Sequence, residues 1–520
     1  MAAEKQLRQL SREEVKKHNT PESLWIIIDT YVYDITKFAD MHPGGAAVLY
    51  DKEVMGQDST DVFFGLHRAE VLKKYQRLIV GRIAGEKTKI IIRAPGTQSQ
   101  VPYAEPMWLT KGYYSPYYND SHRRLQQYMR KFVDEHVVEH AQEIEQSNER
   151  PDPELIKEMG RRYINHMRLG PGKHLHGLTL PGDVKGEEFD YFHDHCNRLI
   201  VTQELSRIAA RGAADGLQGG MVIGLPPVLN FGSPAVKKEV IEPVLKGEKF
   251  ISLAISEAFA GSDVAQLRCT ATKTEDGKFW IINGTKKWIT NGQFSDYFTT
   301  GCNTGKGLTA ILVPRIEGVE TKQMTTSYSK AAGTAYITYD NVKVPVEYTL
   351  GQENKGIYVI LSNFNHERWV MCCGVTRGTR AIVEECFKWA HQRKVFGKPL
   401  ISQPVIRQKF SHMFAKVEAG QSWLETVTYQ MTHMNYAQQS DLVAGQIALL
   451  KQYLTRIAHE VADEAVQIFG GRGITKTGMG KHVEMFQRSY KFDSILGGAE
   501  EVLGDLGVRQ AMKKMPPAVL

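Results

Sequence analysis

The sequence predicts a multidomain α+β protein: a small mixed α+β domain, a helical domain, an antiparallel sheet or barrel, and a second helical domain. Three observations predict it. At 520 residues the chain is too long for one compact domain, since domains hold about 100–200 residues. The apolar period changes along the chain: short mixed elements, then a helical repeat, then alternation near Phe250, then helix again from Gly356. A polar stretch punctuated by Ala94-Pro95-Gly96-Thr97 and Val101-Pro102 sets the first block apart. These changes place boundaries at residues 1–85, a linker over 86–110, helices over 111–250, the sheet over 251–355 and helices over 356–520.

Ser11, followed three residues later by Glu14, forms a capping box and opens a short helix ending near His18. Trp25–Ile28 and Tyr31–Asp34, joined through Asp29-Thr30, read as paired strands. A domain of about 85 residues is marginal unless something fills its core. Helical periodicity covers Ser121–Gln146 and Tyr191–Arg211, and Ser233 with Pro234 caps a helix running toward Gly247. Lys278–Thr290 alternates, with Asn283-Gly284 expected as one hairpin turn and Asn291-Gly292 as a second. Strands follow at Leu308–Val313, Ala335–Tyr339 and Val342–Val344. Helix then dominates to Lys513, broken at Gly397-Lys398-Pro399 and at Gly470-Gly471-Arg472-Gly473.

Composition narrows the function. Apolar content of 42% and charged content of 24% are ordinary for globular chains. The net charge of +7 comes from scattered basic residues, so no nucleic-acid partner is expected. No apolar run is long enough for a transmembrane segment, and Met1–Thr20 lacks a signal-peptide core, so a cytoplasmic address is expected. Six cysteines without a CxxC pair read as reduced thiols.

The first chemical signal is His42-Pro43-Gly44-Gly45, with His67 lying 25 residues further on. Two neutral imidazoles can fill both axial positions of a haem iron, and the glycines allow close backbone approach. With Trp25, Tyr33–Phe38, Gly56 and Leu78–Gly81, this text resembles the cytochrome b5 family over about Ser11 to Gly85. The resemblance implies haem b held by His42 and His67, and electron transfer rather than oxygen binding.

The body carries Ser256–Val264, a small-residue loop after an apolar strand, and then Lys287-Trp288-Ile289-Thr290-Asn291-Gly292. Trp288 and Thr290, at alternating strand positions, would share one face, an aromatic beside a hydroxyl. Arg393, Phe396-Gly397, Gln467–Gly471 and Ile495–Glu501 follow in order. Together these resemble the acyl-CoA dehydrogenase family over about residues 120 to 510. The resemblance implies a β-barrel between helical domains, FAD at their junction and an acyl-CoA thioester against the flavin. It places Ser256, Gly261, Ser262, Trp288 and Thr290 at the flavin. It places Arg393, Phe396, Gln467 and Gly471 at the adenosine diphosphate part of FAD across a subunit boundary, hence a homodimer or homotetramer. Two departures stand out: Ala258-Phe259 alters the family's usual loop, and Gly497-Gly498-Ala499 replaces a common Glu-Gly-Thr.

That replacement removes the carboxylate that many members use as base. Taking the α-proton of a thioester needs a positioned carboxylate and a polarised carbonyl. Glu367 in Asn365-His366-Glu367-Arg368 matches the base position of a branched- and long-chain branch, with Arg368 beside it at the substrate. Glu500 and Glu501 are nearby alternatives, and His366 reads as structural. Moving the carboxylate by Glu367→Gly with Gly497→Glu is expected to restore part of the activity.

The expected function is FAD-dependent α,β-desaturation of an acyl-CoA, with electrons passed to the fused haem and an external electron acceptor as a further candidate partner. Two alternatives remain at this level: an oxidase of a nitroalkane-like substrate, and a catalytically idle flavin protein that binds nucleic acid.

Overall fold

A computed structural model describes residues 7–191, 194–208 and 210–517. Residues 9–84 fold around a five-stranded sheet ordered Gln9–Leu10, Ile79–Ile83, Tyr31–Asp34, Ser23–Ile28, Asn19–Thr20. Its first pair is parallel and the other pairs are antiparallel. The Ser11 side chain accepts from Glu14 N at 3.1 Å, which starts the helix Arg12–Lys16 as the capping pattern requires. Leu24, Ile26, Ile28, Tyr33 and Ile35 are buried on one side of the sheet, and Leu10, Val15, Ile27 and Val32 on the other.

Residues 86–106 form no helix or strand, yet the second half of this expected linker is embedded in the body. Buried Glu105 is gripped by Arg130 at 2.7 and 2.9 Å and by Arg377 at 2.8 Å. Arg93 pairs with Asp134 at 2.6 Å, and the Ser99 hydroxyl donates to Glu384 at 2.7 Å. The stretch that reads as a linker from its polar, Pro- and Gly-punctuated text is fastened by ion pairs and hydrogen bonds.

The helix expected over 121–146 is split. Asp120–Phe132 and Val138–Ser147 are joined by a π-helical turn at Val133–Val137, where Asp134 takes Arg93, Arg207 and Gly96 N. Ser233 caps Pro234–Leu245 as expected.

The middle region is an eight-stranded sheet. Its order is Val319–Gln323, Ala335–Pro345, Phe279–Ile289, Thr270–Lys273, Tyr297–Asn303, Leu308–Pro314, Thr349–Leu350, with Ile251–Ala254 added in parallel to Tyr297–Asn303. Side chains from six strands (Ala254, Ala271, Trp280, Phe298, Val313 and Ile337 among them) share one core, so the sheet curls around its own interior. Two turn expectations fail here. Asn283-Gly284 lies inside a continuous strand: Gly284, at φ +137°, passes so close to Cys269 that a Cβ would sit 2.7 Å from its Cα. Asn291-Gly292 does turn the chain, but the flanking strands pair with others.

Helices Phe364–Gln392, Pro404–Thr432, Ala444–Phe469 and Glu500–Lys514 dominate the C-terminal region. The first buries Trp369, Cys372, Cys373, Thr376, Val383, Cys386 and Trp389, spaced to give one apolar stripe. The breaks expected at 397–399 and 470–473 are a small hairpin, Lys394–Val395 with Lys398–Pro399, and a 3₁₀ turn at Gly470–Ile474. None of the five described cysteines forms a disulfide, and Cys196 lies where side chains are not described. No helix among the described residues is long and apolar enough to cross a membrane.

Candidate active site

The two histidines of the N-terminal domain face each other. His42 ends the 3₁₀ turn Ala39–Met41 and His67 ends the helix Thr60–Leu66, and their ring centroids lie 6.0 Å apart with planes 23° apart. Two metal–imidazole bonds of about 2 Å each, plus about 1 Å from each nitrogen to its ring centre, span about 6 Å. The pair is therefore spaced for one iron. A Cβ at Gly44 would sit 2.9 Å from His42 Cε1, so glycine there makes room for the ring. Burial, reinforced by the charge of His42, lowers the His67 pKa and keeps its ring neutral for ligation. Phe38, Leu49, Tyr50, Phe63, Phe64 and Leu72 pack against the domain's core yet stay only partly buried, as walls for a flat apolar ring would be.

The second site is a cavity of about 160 Å³ in the body. It brings together three residues singled out in the sequence: Glu367, Thr290 and Gly497. Glu367 sits in the first turn of Phe364–Gln392, is 8% exposed, and accepts from Asn363 Nδ2 at 3.1 Å. Val370, Met371 and Gly374, along the same face, continue the wall, and Leu205, Leu217, Val222 and Leu496 add apolar surface. Arg368, expected at the substrate, does not line the cavity. It donates from Nε to Gly497 O at 3.1 Å and so pins the turn opposite.

Gly497 is glycine for a backbone reason. Its φ is +65°, and a Cβ there would lie 2.9 Å from Met371 Sδ and 3.8 Å from Lys451 Cε. Lys451 is buried and donates to Gly498 O at 2.9 Å; burial pushes its pKa down to about 8. The expectation that a carboxylate moved to 497 would regain activity is therefore corrected: the position is strained and faces a cation. Glu500 points elsewhere, within 3.2 Å of both Arg456 and Lys491, and neither it nor exposed Glu501 lines the cavity.

The sheet residues are placed unevenly. Thr290 is buried at the cavity, but Trp288 is 49% exposed with φ +62°. The strand is irregular between Lys286 and Ile289, which breaks the alternation that would have put both residues on one face. The core tryptophan of the sheet is Trp280 instead, 2% exposed. Ser256 accepts from Lys287 N, and Gly261 and Ser262 are open to solvent. Arg393, Phe396, Gln467 and Gly471 are likewise exposed and stay outside the cavity. Trp389 stacks on Phe469 at 5.3 Å, which sets the two segments carrying them side by side. Phe396 is 95% exposed at φ +49°, an apolar ring held out from the chain that bears it.

Models of the acyl-CoA dehydrogenase N-terminal, middle and C-terminal domains match residues 119–248, 252–342 and 354–512. Over 80% of its length the chain is 37% identical to the acyl-CoA dehydrogenase apdG of Emericella nidulans, covering 96% of that protein. The chain belongs to the acyl-CoA dehydrogenase family. The acyl-CoA dehydrogenase AFT10-1 of Alternaria alternata is 34% identical over 80% of the chain and 97% of its own length. Among solved structures, an acyl-CoA dehydrogenase complexed with FAD from Bacillus anthracis shares the fold, with TM-score 0.68, 24% identity, and coverage of 78% of this chain and 69% of that one. Butyryl-CoA dehydrogenase of Megasphaera elsdenii shares it with TM-score 0.66, 22% identity, and coverage of 77% and 100%. A model of the cytochrome b5-like haem/steroid-binding domain matches residues 11–84. The chain is thus an oxidoreductase of the acyl-CoA dehydrogenase type, with FAD as the body's cofactor and haem as that of the fused N-terminal domain.

Sequence reasoning missed four charged residues of the cavity wall: Arg168, Arg211, Asp215 and Asp493. Arg211 lies 3.1 Å from both Asp215 and Asp493. Burial pushes Asp215 up to about 6 against the pull of Arg211, and raises Asp493 as well. Arg168, the Arg211/Asp215 pair and Asp493 lie far apart in sequence and carry no family motif; the i,i+4 spacing of Arg211 and Asp215 was the hint available.

Proposed function

We propose that the protein is an α,β-dehydrogenase of an acyl-CoA thioester in which Glu367 takes the α-proton, and that its electrons leave through the N-terminal haem. The observation that carries the reading is the shared cavity of Glu367 and Thr290, beside a position 497 that bears no side chain. Glu367 is oriented by Asn363 and backed by Val370 and Met371, so its carboxylate meets the substrate in a desolvated setting. Arg368 acts through the backbone of Gly497, as a positioning residue. Ser256, Gly261, Ser262, Trp288 and Thr290 would hold the flavin, and Arg393, Phe396, Gln467 and Gly471 the nucleotide end of a second copy's FAD. That sharing requires a homo-oligomer, and the exposure of those four residues in one chain supports it. Bound FAD would accept the hydride that leaves Cβ, and haem held by His42 and His67 would take up the electrons.

The test is anaerobic addition of an acyl-CoA chain-length series to the holoenzyme. The flavin should bleach first and the haem reduce second. Glu367→Gln, with flavin content unchanged, should slow bleaching by more than the roughly 10²–10⁴-fold typical of a general base. Bleaching at the wild-type rate in that variant overturns the role of Glu367. Haem that stays oxidised beside fully reduced flavin overturns the electron route.

A further inference from the structure

We infer that Lys451 is a positioning residue for the proton transfer: from the helix Ala444–Phe469 its ammonium holds the carbonyl of Gly498 and so fixes the two-glycine turn that shares the cavity with Glu367. The inference rests on the reading of that cavity as the acyl site and adds a residue that acts on it from behind the wall.

The turn has little of its own to hold its shape. Gly497 and Gly498 are consecutive glycines at φ +65° and +107°, and glycine gives up more conformational freedom on ordering than any other residue. Ala499, which opens the helix Glu500–Lys514, supplies no side-chain cap. Yet the turn must be set closely, because Leu496 and Gly497 line the cavity together with Glu367. Met371, one helical turn on from Glu367, lies 2.9 Å from where a Cβ at 497 would stand. Cations from two different helices hold the two carbonyls. Arg368 Nε donates to Gly497 O at 3.1 Å, and Lys451 Nζ donates to Gly498 O at 2.9 Å. Hydrogen bonds from charged donors are about twice as strong as neutral ones, so the two clamp the turn in one setting.

An ammonium is a costly way to fill that place. Lys451 is 1% exposed and flanked along its helix by Ile447, Ala448, Leu450 and Leu454, all buried. Among the described residues it makes no other side-chain hydrogen bond and no ion pair. The charged and titratable groups that face it are Arg368, Cys372, Asp493 and Glu500. Asp493 is engaged by Arg211 at 3.1 Å, and Glu500 by Arg456 and Lys491 at 3.2 Å. An apolar side chain would fill the site without the cost of burying a charge.

Two opposite pH effects follow. Burial brings the Lys451 pKa from its ordinary 10.5 down to about 8. Between those values the unfolded chain binds the extra proton, so this residue's contribution makes stability rise with pH. The ammonium loses its charge as pH rises through about 8, so the clamp loosens and proton transfer slows while the fold gains stability. Burial holds the Cys372 thiol up at about 12, so it stays neutral throughout. A residue that only packed would move rate and stability together.

The test is anaerobic stopped flow with saturating acyl-CoA, and denaturant melts of the same holoenzyme samples, for wild type and Lys451→Met. At neutral pH the variant should keep its flavin, melt at the same or higher denaturant, and bleach about 10²-fold more slowly, the loss that about 1 Å of misplacement produces. The loss should lie in the limiting rate, with the half-saturating concentration close to that of wild type. Wild-type bleaching should fall as pH rises through about 8, and the variant should lack that fall. Bleaching at the wild-type rate in Lys451→Met overturns the inference. So does a variant that loses flavin and stability in proportion to its rate, which would make Lys451 a packing residue. The wild-type profile decides without any variant: a limiting rate that stays level as pH rises through about 8 also overturns it. A wild type that no acyl-CoA bleaches overturns the dehydrogenase reading and the inference with it, whereas wild-type bleaching beside an unaffected variant removes Lys451 alone.

Discussion

Moving the base from 367 to 497 tests whether the cavity geometry has been read correctly. Glu367→Gly with Gly497→Glu keeps one carboxylate in the same cavity, and by family logic either position can serve. The structure predicts failure. A non-glycine residue at φ +65° costs about 1–3 kcal/mol in backbone strain. Met371 Sδ, 2.9 Å from the new Cβ, must also move, and Met371 is part of the wall that would hold the acyl chain. The larger effect is electrostatic. Lys451 Cε lies 3.8 Å from that Cβ, so its ammonium comes within ion-pair reach of a glutamate there. At about 4 Å and an effective dielectric of about 20, the attraction is about 4 kcal/mol. That would lower the carboxylate pKa by about 3 units at about 1.4 kcal/mol per unit, leaving a weak base. Bleaching in the double variant should stay below about one-thousandth of wild type, in anaerobic stopped flow with flavin content checked by absorbance. A rate within tenfold of wild type would refute the argument, since neither strain nor capture by Lys451 could then matter.

Two further outcomes follow from the same geometry. His42→Ala or His67→Ala should each abolish the low-spin bis-imidazole spectrum while the flavin spectrum stays unchanged; retention of that spectrum in either variant removes that histidine as a ligand. Glu105→Gln should destabilise the body by about 3–5 kcal/mol, read in denaturant melts, because buried Arg130 and Arg377 lose the carboxylate they share. Burial raises the Glu105 pKa, but Arg377 and Arg130 overcome it and hold the carboxyl well below its ordinary range. Its contribution is therefore present at neutral pH and is lost only in strong acid, as pH falls through that lowered value. A Glu105→Gln melt within experimental error of wild type would remove the network as a support.

What the sequence revealed and what it hid divide along a physical line. The sequence singled out His42 and His67 through a short local pattern and Glu367 through the family resemblance; the structure sets the two rings face to face and Glu367 at the cavity wall. The Asn283-Gly284 turn was misread because the pair usually makes a hairpin. Here the glycine answers a close approach of Cys269 across the sheet, which is a tertiary fact. That Trp288 shares a face with Thr290 was misread for a similar reason: alternation holds only in a regular strand, and the irregularity between Lys286 and Ile289 appears only once the strand is paired. Arg168, Arg211, Asp215 and Asp493 were invisible because they form a cluster only when three segments converge, with Arg211 and Asp215 on one of them.

The placement of the haem domain shows the same dependence on tertiary contacts. A polar stretch over 86–110 suggested a flexible tether, which would deliver the haem by effective concentration alone. Instead Arg12 pairs with Glu86 at the start of the stretch, Arg93 with Asp134 midway, and Glu105 with Arg130 and Arg377 at its end. The residue after His67 completes the hold: Arg68 reaches Glu385 at 2.5 Å and Met479 O at 3.3 Å, with both side chains of the ion pair largely buried. Lys394 adds a solvent-exposed pair with Asp61 at 2.7 Å. Buried pairs of this kind specify an orientation more than they add affinity, so the domain is oriented as well as nearby. Glu385 and Glu367 lie on one helix, 18 residues and so about 27 Å apart at about 1.5 Å per residue. The haem domain therefore sits at the opposite end of that helix from the cavity, against the hairpin that presents Arg393 and Phe396 and against the turn Gly478–Gly480. In the proposed reading Arg393 and Phe396 grip the nucleotide of a second copy, so the oligomer, rather than the linker, sets which flavin each haem lies nearest.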